Sequence, residues 1–122
     1  MPGNLLNSDN FSNLLPLSPV VFFVLFALGD GEKHGYAIMQ EVAVLSDHRL
    51  RMGPATLYTT IQRLLDSAWI EEVSGPNDGD PRRRYYRLAK AGKSALHSEM
   101  KRMESLVRKS KALHLWPMES KS

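Results

Sequence analysis

The chain of 122 residues can build one hydrophobic core of modest size, and its lack of cysteine excludes a disulfide scaffold, a thiolate metal site and a thiol nucleophile. The formal net charge is +3, but residues 1–81 hold four Lys/Arg against ten Asp/Glu, whereas residues 82–122 hold twelve against three. Positive charge concentrated in one segment indicates an anionic partner. The alternative is a solvated basic helix, which we favour for the residues after Lys93.

Residues 1–16 are polar with scattered leucines and no sustained period, so we predict a flexible N-terminal arm. The first cation of the chain is Lys33, so the positive start of a secretory signal is missing. The longest apolar run, Val20 to Leu28, has nine residues, whereas a membrane-spanning helix needs about 20. These features predict a cytoplasmic protein with no membrane partner.

Three helices are predicted after the arm. Ser18-Pro19 is typical of an N-cap followed by proline at the first helical position, and an apolar helix from Val20 to Leu28 follows. The second helix runs from about His34 to Leu45. The third begins at Gly53-Pro54 and ends near Ser67-Ala68. Its predicted buried face consists of Leu57, Ile61, Leu64 and Leu65.

A β-hairpin is predicted next, because the spacing of apolar residues changes from a period of 3.6 residues to a period of 2 residues. The strands are Trp69 to Val73 and Arg84 to Leu88, and residues 75–81 between them are turn residues. Strand alternation places Tyr86 and Leu88 on one face and Arg83, Tyr85 and Arg87 on the other. We expect Trp69 to be a core residue under the wing, and Tyr36 and Tyr86 to pack in the core or at a hinge.

From Lys90 the pattern is helical again, and Pro117 ends it. This long helix carries an apolar stripe that the three-helix core, already closed, cannot cover. We therefore predict that a partner subunit covers it. The predicted dimer interface consists of Leu96, Met100, Met103, Leu106, Val107 and Leu113. The alternative is that the helix folds back on its own domain.

The order of elements predicts a mostly α fold with a small β-hairpin. A winged helix-turn-helix over residues 17–89 precedes a C-terminal dimerisation helix and tail over residues 90–122. In this fold the third helix packs one face on the domain and offers the other to the major groove of double-stranded DNA. The residues of this helix predicted to bind DNA are Pro54, Ala55, Thr56, Tyr58, Thr59, Gln62 and Arg63.

Arginines concentrate at the base of the hairpin. Arg82, Arg83, Arg84 and Arg87 occupy four of six positions, and a solvated basic strand has no structural need for so many. Arginine on a hairpin beside an exposed helix is typical of a wing that contacts phosphate or enters a minor groove. Acidic residues in the turn would be repelled by phosphate, so we expect the base of the wing to make the contact. These acidic residues are Asp78 and Asp80.

Other functions are less well supported by the sequence. It contains no nucleophile–base pairing, no glycine-rich loop after a strand and no carboxylate pair in a context that suggests a cleft, so an enzyme is disfavoured. The four histidines lack the i,i+4 spacing of a metal site, and no cofactor is predicted. The alternative function is a winged-helix protein–protein interaction module without specific DNA binding, which fewer wing arginines would favour.

Four motifs in order resemble the PadR family of bacterial transcriptional regulators over about residues 17–110. They are His34-Gly-Tyr, Thr56-Leu-Tyr, Trp69-Ile-Glu-Glu, and Arg84-Tyr-Tyr-Arg-Leu followed by Gly92. The short C-terminal region is similar to the subgroup with one dimerisation helix. The resemblance implies a homodimeric repressor on a palindromic operator, often relieved by a small hydrophobic or phenolic effector. It also implies roles for Thr56, Tyr58 and Arg63 in the DNA-reading helix, for Arg83 and Arg84 in the wing, and for Met103 in the dimer seam.

The chain departs from the pattern of this family at three positions. Gly53 stands where Ser or Asn commonly caps the reading helix. Ala68 replaces the usual glycine after that helix, and an alanine in a left-handed conformation costs roughly 1 kcal/mol. Met103 is not aromatic, so a stacking site for flat molecules at the dimer centre is not expected.

Overall fold

A computed structural model describes residues 17–76 and 83–117. In chain order the elements of this part are α1 (Pro19–Ala27), β1 (Lys33–His34), α2 (Gly35–Leu45), α3 (Pro54–Asp66), β2 (Ile70–Val73), β3 (Tyr85–Leu88) and α4 (Lys90–Ala112). The predicted winged helix-turn-helix with a long C-terminal helix is confirmed, since three helices precede the β2–β3 hairpin and α4 follows it. The predicted arm over residues 1–16, together with Asp78, Asp80 and Arg82, lies outside the described residues.

The starts of the first three helices follow from local chemistry. The Ser18 side chain accepts a hydrogen bond from the Val21 N–H at 3.2 Å, and Pro19 occupies the first turn of α1. At α2 the cap is His34, whose Nδ1 accepts from the Ala37 N–H at 3.3 Å. Gly53 precedes α3 without a side-chain cap, as its residue type requires.

The sheet has one strand that the sequence did not predict. β3 lies between β2 and β1, and both pairings are antiparallel. In the hairpin Ile70 is opposite Leu88, and on the other edge Lys33 is opposite Tyr86. β1 has two residues, which is too short to show an alternating apolar pattern.

The core lies between α1, α2, α3 and the inner face of the sheet. Trp69 and Tyr86 are buried in it, as predicted. Tyr36 contradicts its prediction because 61% of it is exposed at the first turn of α2. Tyr85, expected beside the exposed arginines, is buried. Its ring meets the His34 ring edge-on at 5.4 Å, since β1 covers this side of β3.

The first half of α4 belongs to the domain, which corrects part of the predicted dimer interface. Leu96 is 6% exposed and lies in the core of its own chain, with Met100 packed against that core. Gly92 permits this approach, because a Cβ there would lie 2.0 Å from the Trp69 carbonyl oxygen. The first turns of α4 therefore fold back on their own domain, which is the alternative to coverage by a partner subunit. Beyond them large apolar side chains are exposed, namely Met103, Leu106 and Leu113.

No helix within residues 17–76 and 83–117 combines the length and apolarity needed to cross a membrane. Over the same ranges no group of three or more His, Cys, Asp and Glu side chains could hold a metal ion.

Candidate DNA-binding surface

The third helix separates cleanly into a buried face and an exposed ridge. Leu57, Ile61 and Leu64 are buried, as predicted, with Thr60 beside them. The Thr60 hydroxyl donates to the Thr56 carbonyl at 2.8 Å, so its burial leaves no polar group unsatisfied. The opposite side of the helix is exposed and presents Ala55, Thr59, Gln62 and Asp66 in one row, with Pro54, Tyr58, Thr56 and Arg63 on the flanks.

One flank of α3 meets the base of the wing. A cleft of about 390 Å³ lies between them, and we call it the wing cleft. Its lining residues are His34, Gly35, Tyr36, Tyr58, Arg83, Arg84 and Tyr86. The start of α2, the margin of α3 and two wing arginines therefore converge on the same side of the domain.

Close packing between α2 and α3 forms the floor of the wing cleft. A Cβ on Gly35 would lie 2.7 Å from the Tyr58 hydroxyl oxygen, so a larger residue there would push the Tyr58 ring out of its present position beside the first turn of α2. Gly35 and Tyr36 belong to the His-Gly-Tyr motif. The structure thus gives the glycine of this motif a steric role and leaves the Tyr36 ring exposed at the cleft.

The other flank of α3 faces the start of α1. A second groove, of about 410 Å³, is lined by Ser18, Val20, Val21, Ala55, Thr56, Thr59, Thr60 and Arg63. Arg63 and Thr56 therefore lie on the side of α3 remote from the wing, and Tyr58 lies on the side next to it. The exposed ridge of α3 runs between these two depressions, which is the shape that a helix entering a groove requires.

The wing arginines are more fully paired than the sequence suggested. Arg84 Nη1 lies 3.5 Å from Glu72 Oε1, and Arg87 Nε lies 2.6 Å from Glu71 Oε2. Both glutamates are on β2, so Arg84 and Arg87 have partners within the sheet, contrary to the expectation that they have no structural need. Exposed pairs of this kind contribute little stability, and they leave Arg84 able to bind another anion.

Strand alternation separates Arg87 from the wing cleft. Tyr86 lines the cleft beside Tyr58, and successive side chains of a strand point to opposite faces. Arg87 and its partner Glu71 are directly opposite each other in the register and point away from Tyr58. Arg83 and Arg84 line the cleft and Arg87 does not. The prediction that Arg83 shares a face with Arg87 is therefore wrong, because β3 begins at Tyr85 and its alternation does not extend to Arg83.

Acidic groups shape the electrostatics of this surface. Burial raises the pKa of the Tyr86 hydroxyl, and the nearby Glu72 carboxylate raises it further, so this hydroxyl remains a hydrogen-bond donor at neutral pH. On the ridge Gln62 Nε2 donates to Asp66 Oδ1 at 3.0 Å. Asp66 was not among the predicted site residues, although its i,i+4 spacing from Gln62 is a recognisable signal.

Chemically, the surface can bind phosphate at its edges and contact bases at its centre. Arg83 and Arg84 supply charge-assisted donors at the wing cleft. The small side chains of Ala55 and Thr59 let the helix backbone approach a base edge closely, and both can contact a thymine methyl group. No hydrolytic or transfer chemistry follows from this set of residues.

The carboxylate of Glu99 on α4 is buried, which was not predicted from the sequence. Glu99 is 1% exposed and is paired with Arg102, whose Nε and Nη2 donate to the two carboxylate oxygens at 2.8 and 2.9 Å. Its position three residues after Leu96 and four before Met103 places it within the apolar stripe. A charged residue within such a stripe is the signal that could have identified it.

Sequence comparison links the chain to a family of regulators. The profile of the transcriptional regulator PadR-like family matches residues 24–98. The chain is similar to the transcriptional regulator Rv3488 of Mycobacterium tuberculosis, with 36% identity over 85 residues that cover 70% of this chain and 76% of that protein. The matched segment of 24–98 includes α2, α3 and the wing.

Structural comparison gives the same fold. A PadR family transcription regulator from Clostridium difficile superposes with a TM-score of 0.65 at 18% identity, covering 79% of this chain and 98% of that one. Bacillus subtilis PadR in complex with operator DNA superposes with a TM-score of 0.60 at 21% identity. That match covers 70% of this chain and 48% of the longer Bacillus protein.

Proposed function

Since the chain belongs to the PadR-like family of transcriptional regulators, which are not enzymes, we propose that it is a homodimeric repressor of a palindromic operator. Each subunit inserts the exposed ridge of α3 into a major groove and holds the adjacent phosphates at the wing cleft. Bacillus subtilis PadR has been solved with operator DNA, and its similarity in fold supports this part of the proposal.

The observation that carries the proposal is the wing cleft. It places Arg83 and Arg84 next to Tyr58 of α3, so the cationic wing base and the exposed ridge lie on one side of the subunit. A duplex seated on α3 would bring its phosphate backbone alongside these guanidinium groups. A protein–protein interaction module would not need arginines at this edge, and no feature of the described surface favours that alternative.

Within this proposal the residues of α3 divide by role. Ala55, Thr59 and Gln62 on the ridge contact base edges, and Pro54 and Thr56 in the first turn lie close to the backbone. Arg63, on the flank next to α1, binds a phosphate on the side of α3 remote from the wing. Tyr58 shapes the wing cleft and donates from its hydroxyl.

The dimer part of the proposal is based on the distal half of α4. Met103 is 37% exposed, Leu106 51% and Leu113 67%, and such a row of apolar side chains is typical of an interface. Val107 is partly buried beside them. A two-fold axis pairs this half of α4 with the same surface of a second copy. Leu106→Arg should then give a monomer by light scattering, whereas Lys101→Ala on the same helix should remain dimeric.

A groove between α1 and the first turns of α4 supports the effector part of the proposal. Its volume is about 530 Å³, and Phe26, Leu96 and Met100 give it an apolar floor. His97, Lys93 and Glu41 stand at its rim. A small hydrophobic or phenolic molecule fits this chemistry, because the apolar floor covers a ring and the rim accepts or donates to a hydroxyl. Met100→Trp should fill the groove and abolish any ligand-induced release of DNA.

The test of the proposal is selection of DNA from a random pool by the purified protein, followed by binding measurements on the selected duplex. The proposal predicts a two-fold-related sequence whose half-sites are about one helical turn apart or a multiple of it. It also predicts affinity that falls with salt at a log–log slope of about −0.9 per phosphate contacted. Selection of no sequence, or of a single unrepeated half-site, would refute it.

A further inference from the structure

Glu99 on α4 forms a buried polar junction that the DNA-binding surface does not use. Both of its carboxylate oxygens accept hydrogen bonds from Arg102, at 2.8 and 2.9 Å. One of them, Oε2, also accepts from the backbone N–H of Leu17 at 3.1 Å. We call Glu99, Arg102 and Leu17 the Glu99 clamp.

The clamp lies where α4 leaves the domain. The buried residues of α4 are Gly92, Ala95, Leu96 and Glu99, so Glu99 is the last of them along the described helix. Leu17 directly precedes Ser18, the N-cap of α1, and α1 carries fully buried core residues at Val24 and Leu25. The clamp therefore joins the exit point of α4 to the start of the central core helix.

A carboxylate is a poor choice for this position if stability alone matters. Removing a charge from water is unfavourable, and a buried ion pair is often no better than well-packed apolar side chains. An ion pair differs in being directional, since three donors at short distances fix where the carboxylate lies, whereas an apolar contact tolerates sliding. The arrangement thus suits a junction whose angle matters.

The geometry of α4 amplifies any change of angle at this junction. From Met100 to Ala112 the helix continues for roughly 18 Å, with the exposed apolar residues on that extension. A tilt of about 10° at Glu99 would displace the far end by about 3 Å, which is close to the rise of one base pair. The direction of α4 at Glu99 therefore determines where each α3 lies relative to the two-fold axis.

We propose that Glu99 is a positioning residue that fixes the direction of α4 relative to α1 and thereby sets the distance between the two α3 helices. This inference rests on the proposed dimer. It assigns to the clamp the selection of operators by the spacing of their half-sites, while recognition within each half-site remains with α3 and the wing.

The experiment measures the distance between the two α3 helices directly. The chain has no cysteine, so Gln62→Cys places one spin label on each ridge, and pulsed dipolar spectroscopy of the homodimer gives one inter-label distance distribution. The reference protein carries this label alone. Glu99→Gln and Arg102→Gln are introduced into it separately. The matched control is Glu104→Gln, which removes the same charge from an exposed pair with Arg108 at 3.6 Å on the same helix.

The clamp variants should at least double the width of the distance distribution, and the control should match the reference. DNA binding is measured on the same proteins with Gln62 restored and no label, because Gln62 lies on the ridge assigned to base edges. On duplexes whose half-site spacing is changed by one base pair, we expect about tenfold discrimination by the native chain and less than threefold by the clamp variants. Binding to an isolated half-site should be unchanged, which a general loss of folding would not give. If Glu99→Gln fails to fold, Arg102→Lys decides, because lysine keeps a positive charge beside the buried carboxylate and loses the paired hydrogen bonds of arginine to its two oxygens.

Two results would overturn the inference, and they are distinguishable. Unchanged width and spacing preference in the folded clamp variants would refute the role of Glu99 and leave the proposed function intact. Absence of dipolar coupling in the reference protein would refute the dimer itself, and the positioning role would fail with it.

Discussion

Replacing Arg84 by alanine should weaken DNA binding much more than replacing Arg87, although the two residues lie on the same short segment of the wing. Arg84 lines the wing cleft beside Tyr58, whereas Arg87 points to the other face of the sheet. Each is paired with a glutamate of β2, at 3.5 Å for Arg84 and 2.6 Å for Arg87, so each substitution removes one exposed ion pair within the chain. They therefore form a matched pair that differs in position relative to α3.

The size of the effect follows from the exposure and pairing of Arg84. A charge-assisted hydrogen bond to phosphate is worth roughly 1.5–3 kcal/mol. The Arg84 side chain is 70% exposed and already near Glu72, so we expect about 1 kcal/mol for each subunit. A dimer loses two such contacts, which is about 2 kcal/mol or roughly 30-fold in affinity. The salt slope should fall by about 1.8, since two phosphate contacts disappear.

Fluorescence anisotropy of the selected operator, titrated over a range of salt concentrations, measures both quantities. Arg87→Ala should leave the slope unchanged and the affinity within about threefold, because salt screens charges that do not touch the duplex. Equal losses for the two variants would refute the placement of the DNA at the wing cleft. An unchanged slope for Arg84→Ala would refute the phosphate contact.

Three further predictions follow from individual residues. Ala68 has φ of 59°, in the left-handed region, where an alanine backbone is strained. Ala68→Gly should therefore raise the free energy of unfolding, measured by urea denaturation, by roughly 0.5–1 kcal/mol. A decrease would contradict the presence of strain at this residue. Glu72 lies beside the wing cleft, where its carboxylate repels phosphate. Glu72→Gln should therefore strengthen binding to unrelated DNA more than binding to the operator, as measured in competition assays. An equal gain for both DNAs would show that Glu72 has no part in specificity. Hydrogen bonds from Arg102 lower the pKa of the Glu99 carboxyl, although burial acts in the opposite direction. The stability that these bonds give the folded protein is therefore complete above the ordinary carboxyl pKa, and it is lost as the pH falls through the lowered pKa of Glu99. Glu99→Gln should therefore flatten the decline of unfolding free energy below about pH 4.3, and a parallel decline would contradict the pairing.

The sequence was sufficient for the order of the four helices and the hairpin because each has a local signal, which for α1 is an apolar run after Ser18-Pro19 and for the others is a period. The apolar stripe of α3 predicted both its buried face and its exposed ridge. Trp69 and Tyr86 are in the core, as predicted, because a bulky apolar side chain on the inner face of a short hairpin is buried against the helices. The positive φ of Ala68 agrees with the left-handed conformation expected at the position where glycine is usual.

What the sequence could not give are contacts between distant segments. Tyr36 was expected to pack, but the start of α2 approaches α3 through Gly35, which leaves the Tyr36 ring outside. The pairing of the wing arginines depends on the β2–β3 register, which places Glu71 opposite Arg87. The periodicity of the sequence does not predict which residues of the two strands are opposite each other.

The long helix shows the same limit. Its apolar stripe is continuous in the sequence, so Leu96 and Leu106 were assigned one role. The structure divides the stripe at Glu99, with Leu96 in the core of the domain and Leu106 exposed. Periodicity identifies a buried face, but it cannot say whether the same chain or another one covers it.

The most direct test of the central claim is cleavage of the operator by an iron chelate tethered to single cysteines at positions 59, 83 and 87 of this cysteine-free chain. We expect strong cuts from positions 59 and 83 a few base pairs apart within each half-site, repeated across the two-fold axis, and weak cuts from position 87. Cuts from position 87 as strong as those from position 83, or none from position 59, would contradict it.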